Sequence, residues 1–190
     1  MNANSLTTTP NLLSLSRVPL AVLLCAAIHE RVWLVSLILF SIASFTDWLD
    51  GWWARRFNQQ SLMGRNLDPL TDKVLIGCAF IFLQSANVGV APWMVAVMIG
   101  RELLVTGLRG IVEATGAKFG ADWFGKLKTV LQCVTLFAIF LVETLRDQGA
   151  MTEFLPTLST ITTGLLYAAI VATLGSGVQY CVKAMRLLAL

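Results

Sequence analysis

Six long apolar runs, separated by short polar or charged segments, set the pattern of this chain. They cover roughly Leu12–Ile28, Val32–Leu49, Leu67–Ala86, Pro92–Ile111, Leu127–Leu145 and Leu158–Val182. A membrane-spanning helix needs about 20 mainly apolar residues, and each run is of that order. Inside a bilayer every span must satisfy its own backbone hydrogen bonds, so the pattern predicts helices and an all-α fold. Pro10-Asn11 marks the start of the first run, after a polar stretch Met1–Pro10. Asn11, Ser14, Ser16 and Arg17 stand at or in this run, and no small-residue cleavage site follows a basic start. It therefore reads as a span and not as a signal peptide.

Composition supports the same class. The chain is 56% hydrophobic and 13% charged, against about 45–50% and 25% in a soluble domain. The expectation is a polytopic membrane protein, with residues 1–190 forming one domain. The basic residues then orient it. Arg55, Arg56 and Arg65 lie between spans two and three; Arg109, Lys118, Lys126 and Lys128 lie around the connection of four and five; Lys183 and Arg186 follow span six. The opposite side offers Arg31 and Arg146. The positive-inside rule puts both termini and both basic loops in the cytoplasm. The net charge of +3 is small, and its one-sidedness suits anionic lipid head groups, not nucleic acid. Cys25, Cys78, Cys133 and Cys181 stand singly in different spans and read as packing residues. The single His29 cannot build a zinc site and reads as an interface residue.

The acids carry the chemistry. Asp47 and Asp50 lie at the inner end of span two, and Asp68 and Asp72 at the inner start of span three. Spacings of i, i+3 and i, i+4 put each pair on one helix face. A short connection predicts that spans two and three are antiparallel neighbours, so the two acidic ends meet at one depth. Asp68 and Asp72 complement a helix N-terminus, but Asp47 and Asp50 sit where a helix prefers cations. Four converging carboxylates repel unless positive charge holds them. Two divalent cations supply it, and all-oxygen ligands suit Mg²⁺ or Mn²⁺. Such metal pairs clamp attacking and leaving oxygens in phosphoryl chemistry. Gly51 and Ala54 leave bare surface beside the acids, Gly64 keeps the start of span three open, and Arg55 can fork onto a phosphate or pyrophosphate.

The whole stretch, from Asp47-Trp-Leu-Asp50-Gly51-Trp-Trp-Ala54-Arg55 to Gly64, Asp68 and Asp72, resembles the signature of the CDP-alcohol phosphatidyltransferase family at every signature position. The resemblance implies six transmembrane helices around a polar cavity open to the cytoplasm. It implies that Asp47, Asp50, Asp68 and Asp72 hold two metals and that Asp72 is the general base. It also implies a CDP pocket made by Asp47, Gly51, Ala54, Arg55, Gly64 and Asp68.

A second polar cluster addresses the acceptor alcohol. Arg101 and Glu102 fall within span four, Arg109 lies two turns on, and Lys126 and Lys128 begin span five. Intramembrane charges face the protein interior and mark substrate paths. Two readings stay open: a structural Arg101–Glu102 ion pair, although adjacent helical residues do not face each other, or a pocket for an anionic acceptor. The segments Pro10–Arg17, Gly100–Arg109 and Gly125–Gln132 are similar to the bacterial phosphatidylglycerophosphate synthases, a branch of the same family. Ser14 stands where that branch often has threonine. The similarity implies CDP-diacylglycerol and sn-glycerol 3-phosphate as substrates and a multi-pass protein of the cell inner membrane. It implies Arg101, Arg109 and Lys126 as ligands of the acceptor phosphate, with Asn11, Ser14, Arg17 and Lys128 as further candidates. Rival expectations are another acceptor (phosphatidylglycerol, as in a cardiolipin synthase, or an inositol phosphate), a Mg²⁺-dependent membrane prenyltransferase, and a cation transporter. Gly164, Ala168, Ala172 and Ser176 make a small-residue face on span six. It serves either packing within one chain or a homodimer.

Overall fold

The computed structural model describes residues 9–56, 64–116 and 123–188. Within these, side chains are described except at 9–15, 48, 50–56, 64–70 and 72. The described chain is helical throughout. The elements are α1 (Thr9–His29), α2 (Trp33–Arg56), α3 (Gly64–Ser85), α4 (Pro92–Ala114), α5 (Trp123–Asp147) and α6 (Leu155–Leu188). Among the described residues there is no strand.

The helices outrun the apolar runs, chiefly at the basic end. α2 continues past Leu49 to Arg56, so Asp50, Gly51, Ala54 and Arg55 are on helix and not on a loop. α6 has 34 residues, about 50 Å at 1.5 Å per residue, more than the roughly 30 Å of a bilayer core. Apolarity marks the slab a helix crosses; hydrogen bonding lets it run further. The stops are local. α4 starts at Pro92, whose ring pre-sets the helical φ and whose missing N–H is not needed in the first turn. α5 ends in a left-handed Gly149 (φ 62°), with Ala150 N–H donating to the Leu145 carbonyl at 2.9 Å.

The main packed pairs are α5–α6, α1–α3, α1–α2, α4–α6 and α2–α5, with smaller contacts of α4 and α5 on α3. Among the described residues α2 and α3 make no extensive contact with each other, and α1 packs on both. A short connection constrains where two helix ends lie, but not which faces bury each other. The main core joins all six helices, through residues such as Leu24, Phe40, Phe80, Met98, Phe140 and Ala169. A second core joins Val105 and Val112 of α4 to Tyr180 and Ala184 of α6.

Buried hydroxyls settle within their own helices. Thr135, Thr144 and Thr173 donate to carbonyls four residues back, at 2.6–2.7 Å. This satisfies a polar group without any partner from solvent. The four cysteines form no disulfide and are half-buried, in line with a packing role. His29 is exposed at the end of α1 and meets the Phe82 ring edge-on.

Candidate active site

Two ion-pair systems gather where the acids and bases of the sequence lie. In the first, Arg17 of α1 donates from Nη1 to Oδ1 of Asp47 on α2 at 2.8 Å. The Arg17 side chain is fully buried while that of Asp47 is 48% exposed. A buried guanidinium demands a carboxylate. The pair ties α1 to α2 at the acidic end and leaves Asp47 accessible. Arg17 thus moves from a marginal candidate to the residue that orients Asp47. Beyond their helical backbone, Asp50, Gly51, Ala54 and Arg55 on α2, Gly64, Asp68 and Asp72 on α3, and Asn11 and Ser14 on α1 lie outside the described residues.

The second system centres on Glu102. Arg101 donates to its Oε1 at 2.9 Å, Lys128 of α5 donates to the same oxygen, and Lys73 of α3 stands 3.8 Å from Oε2. Lys73 also donates to the Thr106 hydroxyl at 2.7 Å, and that hydroxyl donates to the Glu102 carbonyl at 2.7 Å. Arg109 is close enough to act on Lys73 electrostatically. Three helices therefore bring Lys73, Arg101 and Lys128 to one carboxylate, with Arg109 near Lys73. The expectation that Arg101 and Glu102 do not face each other fails. Neighbours project about 100° apart on a helix, but the long guanidinium stem spans that angle.

α6 supplies the floor. The Arg101 guanidinium lies 5.3 Å from the centroid of the buried Tyr180 ring, a cation–π contact. Two glycines make room for it. A Cβ on Gly125 would come within 3.2 Å of the Tyr180 hydroxyl, and one on Gly177 within 3.3 Å of Arg101 Cγ. The Nε atoms of Arg101 and Arg109 are buried with no hydrogen-bond partner among the described residues. Buried donors in that state cost free energy until an acceptor arrives.

Of the sequence-derived acceptor residues, Arg101 and Lys128 meet on Glu102, Arg109 adjoins them, and Lys126 is exposed. Lys126 and Lys128 are two apart, about 200° around a helix, so the two cannot serve one point equally. Sequence reasoning missed Lys73 and Tyr180. Lys73 did have a signal, as a charge just inside an apolar run. Tyr180 had none, because an aromatic residue on an apolar helix reads as core.

Among the described residues, an all-helical bundle gathers Lys73, Arg101 and Lys128 on the one carboxylate of Glu102, which defines a helical protein with a charged cluster between its helices. α5 and α6 are each long and apolar enough to cross a membrane, and α1, α2 and α3 carry shorter apolar stretches. Residues 7–179 match the family model described as CDP-alcohol phosphatidyltransferase, and the chain belongs to that family. It is 45% identical over 108 residues to the CDP-diacylglycerol--glycerol-3-phosphate 3-phosphatidyltransferase of Bacillus subtilis (strain 168), covering 57% of this chain and 55% of that relative. The chain thus matches about half the length of that protein. Proteins of the same name from Salmonella choleraesuis (strain SC-B67) and Rickettsia typhi (strain ATCC VR-144 / Wilmington) are 38% and 34% identical over 136 residues each. Those matches cover 67% and 70% of this chain, and 73% and 75% of the relatives.

Proposed function

We propose that this protein transfers the phosphatidyl group of CDP-diacylglycerol to sn-glycerol 3-phosphate, releasing CMP and forming phosphatidylglycerophosphate. The observation that carries the acceptor is the Glu102 cluster. Among the described residues, Lys73, Arg101, Arg109 and Lys128 outnumber the one carboxylate of Glu102, and that balance fits an acceptor that brings its own phosphate. A neutral polyol leaves those charges uncompensated. The printed names of the relatives support the same acceptor.

Asp47, Asp50, Asp68 and Asp72 are the residues that would hold two divalent cations, Mg²⁺ or Mn²⁺. Asp47 fits this role: Arg17 orients one of its oxygens while half of the side chain stays accessible. An all-carboxylate donor set suits hard cations. When bound, the metals neutralise the pyrophosphate and stabilise CMP as it leaves. Asp72 takes the proton of the acceptor hydroxyl as its oxygen bonds to the lipid-side phosphorus and the bond to CMP breaks. Gly51, Ala54, Arg55 and Gly64, with Asp47 and Asp68, form the CDP pocket. Arg101, Arg109 and Lys128 hold the acceptor phosphate, with Lys126 at the rim.

The chain works as one domain over 1–190 with six transmembrane helices, in the cell inner membrane. Its active-site cavity and both termini face the cytoplasm. Large exposed apolar residues on several helices, among them Val22, Phe45, Leu103, Val171 and Val178, fit a lipid-facing surface. Exposed Trp93 and Trp123 at the starts of α4 and α5 fit interfacial anchors at the two faces. On α6, Ser176 is buried within the chain while Gly164 and Ala168 are exposed, which leaves half of the small-residue face for a second copy.

CMP release by purified protein, with CDP-diacylglycerol and a panel of acceptors, tests the reading. Glycerol 3-phosphate should support turnover, and phosphatidylglycerol and inositol phosphate should not. Turnover confined to another alcohol moves the acceptor assignment; release of pyrophosphate in place of CMP removes the reaction.

A further inference from the structure

The Glu102 cluster contains a cation that neither the signature nor the spacing of the basic residues pointed to. Lys73 is the accessible member: its side chain is 38% exposed, against 8% for Arg101 and 7% for Lys128. It is also the loosest. Its 3.8 Å separation from Glu102 is beyond hydrogen-bond reach. Among the described residues its direct hydrogen bond is to the neutral Thr106 hydroxyl. We propose that Lys73 is a further ligand of the acceptor phosphate and selects short phosphorylated acceptors, exchanging its hold on Thr106 and Glu102 for that phosphate. The inference rests on the acceptor reading under Proposed function.

Three physical points support the exchange. An ammonium carries three donors, and a phosphate oxygen gives it a charge-assisted bond stronger than the one to a hydroxyl. Glu102 keeps three cations together before the acceptor arrives, since unscreened like charges in a partly buried site repel. The acceptor phosphate then takes over the looser of Glu102's partners, while the buried Arg101 and Lys128 stay in place. Length selection follows from the chain itself. Lys73 directly follows Asp72 on α3, and consecutive Cα atoms are about 3.8 Å apart. The phosphate ligand and the general base thus come from one turn of one helix, which suits an acceptor with few carbons between phosphate and hydroxyl. Glu102 acts here as a positioning residue, and Lys73 as a specificity residue.

Steady-state CMP release by the full chain decides it. Lys73→Met should raise the KM for sn-glycerol 3-phosphate at least tenfold, leave the KM for CDP-diacylglycerol within about twofold, and lower kcat less than about fivefold. Lys73→Arg should return the acceptor KM to within about threefold of the parent. An unchanged acceptor KM in Lys73→Met overturns the proposal, as does a parallel rise in both KM values with a lowered thermal midpoint, the mark of a structural role. If Lys73→Met does not fold, Thr106→Val carries the test from an exposed position. It should raise the acceptor KM about two- to fivefold, being an indirect contact, and no rise overturns the proposal. Failure of the parent protein to use glycerol 3-phosphate sinks the acceptor reading and the Lys73 role together. A normal parent with an unmoved Lys73→Met variant sinks the Lys73 role alone.

Discussion

Two charged groupings inside the bundle look alike in sequence and differ in kind. At the C-terminal end of α5, Arg146 donates to Glu143 at 2.5 Å and reaches Ser159 of α6 at 3.3 Å. One cation meets one carboxylate on adjacent turns of one helix, and the Arg146 side chain is 53% exposed. A cavity lined by Asn87, Glu143, Arg146 and Thr163 opens beside them, but the pair is internally balanced. Around Glu102, by contrast, cations from α3, α4 and α5 exceed the one carboxylate among the described residues, and two guanidinium Nε atoms are buried without partners among them. A balanced pair clamps helices. An unbalanced, partly buried cluster is what the proposed acceptor phosphate would complete.

Breaking that contrast starts with the chemistry at the charged end. Asp72→Asn should lower kcat by about a hundredfold or more, the usual worth of a general base, with CDP-diacylglycerol binding kept in a direct binding measurement. Retained turnover removes the base role. Next in size, Arg101→Met should raise the acceptor KM about ten- to a hundredfold, since a hydrogen bond to a charged group is worth about 1.5–3 kcal/mol. Acceptor titrations of CMP release read it, and an unmoved KM argues that the excess cations are structural after all. Gly125→Ala should cost less. Its Cβ would sit 3.2 Å from the Tyr180 hydroxyl, and a small shift of that ring under Arg101 should raise the acceptor KM about twofold, on the scale of a cation–π contact. The balanced pair should give the smallest effect. Arg146→Gln should leave turnover within twofold and cost about 1 kcal/mol or less of stability, as exposed pairs do. A thermal melt in detergent checks the stability, and a large loss of activity there erases the distinction between the two groupings.

Much of the helix plan was legible because one rule covers every long apolar run. Apolar runs of about 20 residues have few alternatives to helix, and all six runs fall on α1 to α6. Helix ends were less legible, because α2 and α6 continue in polar sequence where no apolar pattern marks them. The acceptor cluster was half legible. Arg101, Glu102 and Lys128 announced themselves as charges inside apolar runs, whereas Lys73 was overlooked beside Asp72. The Arg17–Asp47 pair joins residues 30 positions apart, and neither carries a mark of the other in the sequence.

The sequence by itself determined the helical class and the family, because run length and motif spacing are both read along a single chain. Tertiary structure decided which of the charged groups meet. Among the described residues, α1 packs extensively on both α2 and α3. Arg17 reaches Asp47, and Lys73, Arg101 and Lys128 converge on Glu102 over the Tyr180 ring. Helix–helix pairing depends on how side-chain surfaces fit across the bundle, and on glycines such as Gly125 and Gly177 that let one helix approach another. No periodicity along a single chain encodes that fit.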